Sequence, residues 1–242
     1  MARLAPAEYL EAVDAQSDRL VQAAERAGLD APVPSCPEWD VAELLGHMGR
    51  VYGWARACVE ANQLVSPTEL AAPPPPGERA AWVRDQAARI VGALDRPADD
   101  PAWTWAPSGQ VGFWQRRQAH ETVVHRVDAE LAAGAPTPVP DRLAVDGIDE
   151  FLELLPNRFG VPPIAGHGET MHLHCTDQDG EWLARLTDQG LEVERTHAKG
   201  DVAVRGAASD LFLVMTGRLA PERVEVLGDR AVLDGFLSQA NF

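Results

Sequence analysis

Apolar residues recur at intervals of three and four along the first half of the chain, which is the spacing of one face of an α-helix. Loops interrupt this pattern, most sharply at the four consecutive prolines of 73–76. Four helices are predicted, over residues 6–28, 40–62, 78–94 and 112–133. Four helices joined by loops predict a bundle, and the interior of a bundle is a usual place for a site built from facing helices.

The second predicted helix has the clearest start signal. Asp40 precedes the apolar stripe and Glu43 follows it by three residues, as in a capping box. His47 lies on the flank of the stripe, three residues after Leu44 and four before Val51, so its ring can reach the interior of the bundle. An isolated histidine at such a position is more often a hydrogen-bonded core residue than a metal ligand.

After residue 160 the pattern changes to an alternation of apolar and polar residues, which is typical of strands. Strands are predicted over 169–175, 181–186, 191–195, 201–206 and 224–228, and helices over 207–216 and 230–239. Residues 177–180 predict a hairpin turn between the first two strands. We therefore predict an α+β protein with a helical bundle over 1–158, which includes a short helix over 142–155, and a small α+β domain over 159–242.

Charge and cysteine content narrow the classes of function. The chain has 242 residues and a formal net charge of −16, which argues against nucleic acid and against an anionic membrane surface, since both need a basic face. No apolar run approaches the ~20 residues of a membrane span. Cys36, Cys58 and Cys175 show no paired spacing, and the acidic N-terminal region is unlike a signal peptide, so we expect a reduced, cytoplasmic protein.

The predicted fourth helix carries the residues best suited to metal binding. Glu121 and His125 are four residues apart, so they lie on one face, one turn apart. His120 points about 140° away from His125, so the segment is not the H-E-x-x-H zinc signature and His120 is not an expected ligand. Together with His47 from the second helix, Glu121 and His125 make the two-histidine, one-carboxylate set of many catalytic zinc sites. The same donors also suit nickel, iron and manganese.

The same residues also fit a solvated helix face. Arg117 is four residues before Glu121 and can simply pair with it. Asp128 is three residues after His125, and in a metal site it would hold the second ring nitrogen of that histidine. Spacing alone leaves both interpretations open.

Two other features allow more than one interpretation. His172 and His174 alternate on one predicted strand and therefore face the same side. They can bind a metal, but without a third ligand nearby such histidines are more often surface or packing residues. Trp103 and Trp105 belong to the loop over 95–111, which either covers one end of the bundle or forms a wall of a substrate pocket.

Two segments resemble the signatures of a known family. Residues 35–48, SCPEWDVAELLGHM, resemble the N-terminal signature of the mycothiol-dependent maleylpyruvate isomerase family, and residues 120–128, HETVVHRVD, resemble its second signature. That family belongs to the DinB/YfiT-like group of metal-binding four-helix bundles, and residues 165–242 are similar to its small sterol-carrier-like C-terminal domain. Matched by motif, the resemblance implies that the metal ligands are His47, Glu121 and His125.

The resemblance also implies an activity. In such proteins a divalent metal, here expected to be zinc, holds the thiolate of a low-molecular-weight thiol, which in actinobacteria is mycothiol. The thiolate attacks a small electrophilic substrate, and the outcome is cis–trans isomerisation or thiol transfer. An acidic substrate needs a nearby cation, and the candidate catalytic residues are Arg117 and Arg50, although each also fits a surface or salt-bridge role. No residue is assigned to mycothiol binding.

Two alternatives come from other classes of function. A non-catalytic protein would keep its metal in a closed structural site and use the second domain to bind an apolar ligand or a partner. A metal-dependent hydrolase would place water where the thiol is expected. An open coordination position favours an enzyme, and a requirement for added thiol separates thiol chemistry from hydrolysis. The expected oligomeric state is a monomer or a homodimer.

Overall fold

The computed structural model describes residues 3–157 and 164–240, and it confirms the predicted α+β fold. The chain divides into two compact units, with the division between Thr137 and Pro138. The predicted domain boundary at 158/159 lies outside the described residues. Each predicted helix and strand is present, and its ends differ from the predicted ones by one residue at most. Within the described ranges, no helix combines the length and the apolar content needed to cross a membrane.

The first unit is the predicted four-helix bundle, with α1 (Pro6–Ala27), α2 (Val41–Ala61), α3 (Arg79–Leu94) and α4 (Val111–Ala132). Helix α1 packs along α4, and α2 packs along α3. Asp40 and Glu43 form the predicted capping box, because the Asp40 carboxylate accepts the Glu43 backbone N–H at 2.7 Å and the Asp40 backbone N–H donates to the Glu43 carboxylate at 2.9 Å. This box fixes the first turn of the helix that carries His47.

Gly49 sets the distance between α2 and α3. A Cβ atom at this position would lie 2.2 Å from the ring of Trp82, so only glycine allows the two helices to approach as they do. Gly49 is two residues after His47. The close contact between Gly49 and the Trp82 ring therefore fixes the position of α2, along and around its axis, next to His47.

Helix α4 is buried on most of its faces, and its buried side chains include many polar ones. They are Gln115, Arg116, Gln118, His120, Thr122, His125, Arg126, Asp128 and Glu130. Most buried polar groups in proteins are hydrogen-bonded, because an unpaired one is costly. Arg126, which is 0% exposed, donates to Gln16 of α1 at 3.0 Å, to the Glu130 carboxylate at 2.7 Å and to the backbone carbonyl of Thr137 at 2.8 Å. A polar network thus fastens α4 to α1.

In the described part of the chain, the second unit consists of a five-stranded sheet and three α-helices. Its elements are α5 (Asp141–Leu154), β1 (Thr170–Cys175), β2 (Glu181–Thr187), β3 (Gly190–Glu194), β4 (Val202–Gly206), α6 (Ala208–Met215), β5 (Glu225–Gly228) and α7 (Arg230–Ala240). The strand order is β3-β2-β1-β4-β5, and β1 and β4 are parallel while the other pairs are antiparallel. The turn predicted at 177–180 lies in the β1–β2 hairpin.

Helix α5 groups with the second unit, whereas the sequence placed it with the bundle. It packs against α6, and Gly147 allows this approach because a Cβ atom there would lie 2.7 Å from the ring of Phe212. The apolar face of an amphipathic helix predicts that this face is buried, but it does not predict which element packs against it.

Candidate metal centre

His47 on α2 and Glu121 and His125 on α4 come together inside the bundle. Their ligand-type atoms all lie within 4.8 Å of one another. Nε2 of His47 and Nε2 of His125 are each 3.3 Å from the same oxygen, Oε1 of Glu121. The helical spacing of four residues places the two α4 side chains on one face, as predicted, and α2 supplies the histidine opposite.

A tryptophan adjoins the two histidines. The ring centroid of Trp39 is 4.8 Å from that of His47 and 6.1 Å from that of His125. Backbone hydrogen bonds hold this residue in the connector before α2, from Val33 N–H to the Trp39 carbonyl at 3.0 Å and from Trp39 N–H to the Cys36 carbonyl at 2.8 Å. Trp39 lies directly before the Asp40 cap, but no role for its side chain was predicted from the sequence.

The second ring nitrogen of His125 is held by a buried carboxylate. Nδ1 of His125 is 2.7 Å from Oδ2 of Asp128, and Ser35 donates its hydroxyl to the other Asp128 oxygen at 2.5 Å. Asp128 therefore fixes the ring so that Nε2 faces Glu121, as the i, i+3 spacing predicted. Ser35 was missed, because a hydroxyl 93 residues away in the sequence gives no local signal of this contact.

Electrostatics favours the charged forms of Glu121 and His125. Burial raises the pKa of Glu121, but hydrogen bonds from His125 and His47 and the charges of His125 and Arg117 outweigh it and hold the pKa well below its usual range. Burial lowers the pKa of His125, but its hydrogen bonds to Asp128 and Glu121 prevail and raise it to about 9.

The predicted arginines differ in their surroundings. Arg117 Nη2 is 3.2 Å from Oε2 of Glu121, so the simple helix pairing predicted for this residue is present. The pairing is compatible with a metal site, because Arg117 engages Oε2 while the two histidines face Oε1. Arg50 is exposed on α2, one turn after His47. The catalytic roles of both arginines stay predictions.

His120 and Trp103 pack against other aromatic side chains. His120 is buried, and its ring meets the edge of the Tyr9 ring with centroids 6.2 Å apart, away from the Glu121 cluster as its spacing predicted. The loop before α4 is packed against the bundle. The ring centroid of Trp103 is 6.1 Å from that of Trp54, and the indole N–H of Trp114 donates a hydrogen bond to the Trp103 carbonyl at 2.6 Å. A role of this loop as a pocket wall stays a prediction.

The donor set fits a metal ion with an open coordination position. Two imidazoles and one carboxylate are the protein ligands of many catalytic zinc sites, which keep the fourth position for water or substrate. The side chains of His47, Glu121 and His125 are 27%, 24% and 9% exposed, so the cluster is partly accessible to solvent.

Replacing Asp128 with asparagine tests how much the buried carboxylate contributes. We expect Asp128→Asn to weaken zinc binding by about tenfold to a hundredfold, since the amide keeps the shape but loses the charge that orients His125. Zinc affinity is measured by competition with a chromophoric chelator. The matched control is Asp85→Asn on the exposed face of α3, and equal affinities for Asp128→Asn and the wild type would contradict the orienting role.

Comparison with known families and structures agrees with this architecture. Residues 10–130 match the model of the mycothiol maleylpyruvate isomerase N-terminal domain, and residues 142–235 match the MDMPI C-terminal domain. His47, Glu121 and His125 all lie within the first match. A search of curated proteins finds no match.

Solved structures show the same fold. The crystal structure of the mycothiol-dependent maleylpyruvate isomerase has a TM-score of 0.63 and 14% sequence identity, and the match covers 93% of this chain and 95% of that chain. A histidine-to-alanine mutant of that isomerase gives a TM-score of 0.61 and 13% identity over the same shares. At this identity the likeness shows the arrangement of the helices and strands.

Proposed function

Because the chain belongs to the mycothiol maleylpyruvate isomerase family, we propose that it is an enzyme that uses a low-molecular-weight thiol to transform a small electrophilic substrate. Mycothiol is the expected thiol. The observation that carries the proposal is the partly open cluster of His47, Glu121 and His125 within the bundle. Its open side supports an enzyme over a protein with a closed structural site.

The three clustered residues are the proposed ligands of a divalent metal, with zinc expected from two imidazoles and one carboxylate. When bound, the metal supplies a positive charge that favours the thiolate over the thiol in a neighbouring cosubstrate. The other residues prepare the ligands. Asp128 holds the His125 ring, Arg117 holds one Glu121 oxygen, and Trp39 excludes water from the side that its ring covers.

The proposed chemistry begins with addition of the thiolate to a conjugated double bond. A C–S bond forms, and the π electron pair moves to the oxygen of the conjugated carbonyl. The former double bond can then rotate. Expulsion of the thiolate breaks the C–S bond, restores the double bond and completes cis–trans isomerisation. If the adduct instead takes a proton at the carbon next to the carbonyl, the thiol is retained and the reaction is thiol transfer.

An acidic substrate of this kind needs a cation close to the cluster. Arg117 is the better placed of the two predicted arginines, because its guanidinium already lies 3.2 Å from Glu121. Arg50 lies one turn after His47 and is exposed, so it can meet a substrate carboxylate at the outer edge of the site. We propose that one or both arginines bind the carboxylate and the developing negative charge.

The test is whether turnover of a cis-configured conjugated keto acid, with maleylpyruvate as the first substrate, requires thiol. We expect the zinc-loaded protein to be active only with added mycothiol. A thiol that is required but not consumed identifies an isomerase, and a thiol consumed in proportion to substrate identifies a transferase. Turnover without thiol would identify water chemistry and contradict the proposal, as would the absence of turnover with mycothiol, cysteine and glutathione alike.

A further inference from the structure

The second unit contains a separate cluster of histidines around one carboxylate. His172 and His174 lie on β1 and face the same side of the sheet, as predicted, while their neighbours Met171, Leu173 and Cys175 are buried on the other side. Sequence analysis found no third ligand near them. The structure supplies Glu181 from β2 and His197 from the segment that follows β3.

Strand register explains how Glu181 reaches both β1 histidines. His174 and Glu181 are direct partners in the antiparallel β1–β2 pair, and His172 pairs with Leu183, two residues further along β2. The Glu181 side chain therefore lies on the same face as both histidines. Nδ1 of His174 is 2.9 Å from Oε1 of Glu181, and Nε2 of His172 is 3.3 Å from Oε2.

His197 closes the cluster from a third segment. Its Nδ1 is 2.5 Å from Oε2 of Glu181, and its ring centroid is 5.3 Å from that of His172 and 6.4 Å from that of His174. One nitrogen from each ring and one carboxylate oxygen all lie within 4.8 Å of one another. Four donors from three chain segments are thus close enough together to share one ion.

One carboxylate is the common partner of all three rings, because each histidine has a ring nitrogen within 3.3 Å of a Glu181 oxygen. These contacts hold the three ring nitrogens close together. An imidazole binds a metal ion through a ring nitrogen, so three converging rings around one carboxylate form a donor set suited to a metal ion.

We propose that His172, His174, Glu181 and His197 form a second metal site, for a divalent transition-metal ion such as zinc. Three imidazole nitrogens and one carboxylate oxygen are a complete tetrahedral set for zinc, and tetrahedral ligands lie about 3.3 Å apart. The observed separations, up to 4.8 Å, need only a small inward rotation of side chains. His197, whose side chain is 79% exposed on a loop, has room to make it.

Four protein ligands leave no position for substrate, so the site is assigned a structural role. The ion would fasten the segment after β3, through His197, to the face of β1 and β2. This role is independent of the chemistry proposed for the bundle, because no residue is shared between the two clusters.

The experiment removes the bundle cluster and counts the zinc that remains. The full chain carrying His47→Ala and Glu121→Ala is stripped with chelator, and Zn²⁺ is titrated against a chromophoric competitor. We expect one equivalent of tightly bound zinc per chain. Adding His174→Gln and His197→Gln should abolish this binding, whereas adding His167→Gln, an exposed histidine of the same unit outside the cluster, should leave it unchanged.

The substitutions are not expected to unfold the protein, because His174 is half-buried and His197 is exposed. Each variant must nevertheless show a native circular dichroism spectrum before its zinc is counted. Bound zinc should also raise the thermal midpoint of the His47→Ala/Glu121→Ala protein and not that of the four-residue variant. No zinc in the first protein, or binding that survives His174→Gln and His197→Gln, would overturn the proposal. The wild type should bind two equivalents, one in each cluster.

Discussion

Glu121→Gln should abolish thiol-dependent turnover and weaken zinc binding by more than about a hundredfold. This residue is the common partner of the cluster, since Oε1 meets both His47 and His125 and Oε2 meets Arg117. Glutamine keeps the length but removes the charge that a divalent ion needs from its only anionic ligand here. The loss should exceed the tenfold to hundredfold effect typical of a residue that only orients a ligand.

Zinc content, zinc affinity and turnover with mycothiol are measured on the same preparation. The matched control is Glu60→Gln, the same substitution on the exposed end of α2, where the carboxylate pairs only at the surface with Arg56. Wild-type turnover in Glu121→Gln would remove the carboxylate from the mechanism. If zinc is retained but turnover is lost, Glu121 acts on the substrate and the proposed ligand set is wrong.

Arg126→Met should lower the free energy of unfolding by about 3 kcal/mol, the lower end of the cost of breaking a buried ion pair, since Glu130 retains Arg19 as a second cation. Arg126 is fully buried, and its guanidinium contacts Gln16, Glu130 and the Thr137 carbonyl. Methionine fills a similar volume but donates no hydrogen bond. The Glu130 carboxylate, which is also buried, would keep Arg19 at 3.0 Å and the Thr137 contacts but lose its closest cation.

The change in the free energy of unfolding is measured by urea unfolding followed by circular dichroism. Two further variants serve as comparisons. Arg89→Met removes an exposed i, i+4 pair with Asp85 on α3 and should cost less than about 0.5 kcal/mol. Adding Glu130→Gln to Arg126→Met should recover part of the loss, because the second change removes a buried charge that has lost its closest cation. A loss below about 1 kcal/mol for Arg126→Met would show that the network contributes little to the fold.

Local patterns made the secondary structure predictable. The helical period, the Asp40 cap and the hairpin turn each depend on residues close in sequence, and the observed ends agree to within one residue. The placement of α5 was not predictable in this way, since its apolar face fits a bundle helix or α6 equally well. Which unit contains a helix is decided by tertiary contacts that periodicity does not encode.

The cluster of His47, Glu121 and His125 in the bundle was predictable for a similar reason. Glu121, His125 and Asp128 lie on one face of α4, and only His47 comes from another helix, α2. Ser35 makes its contact with Asp128 across 93 residues, so no local pattern marks it. The second cluster was only partly predictable. The predicted hairpin implies that Glu181 lies opposite His174, whereas His197 comes from an irregular segment that has no strand register.

The most direct test is an anomalous diffraction map of crystals grown from protein purified without chelator and loaded with zinc. We predict a zinc peak about 2.0–2.2 Å from Nε2 of His47, Nε2 of His125 and one carboxylate oxygen of Glu121. Native metal content measured before loading identifies the physiological ion. The absence of a peak between these three residues, after loading with zinc and with nickel, would contradict the proposed metal centre and the thiol chemistry that depends on it.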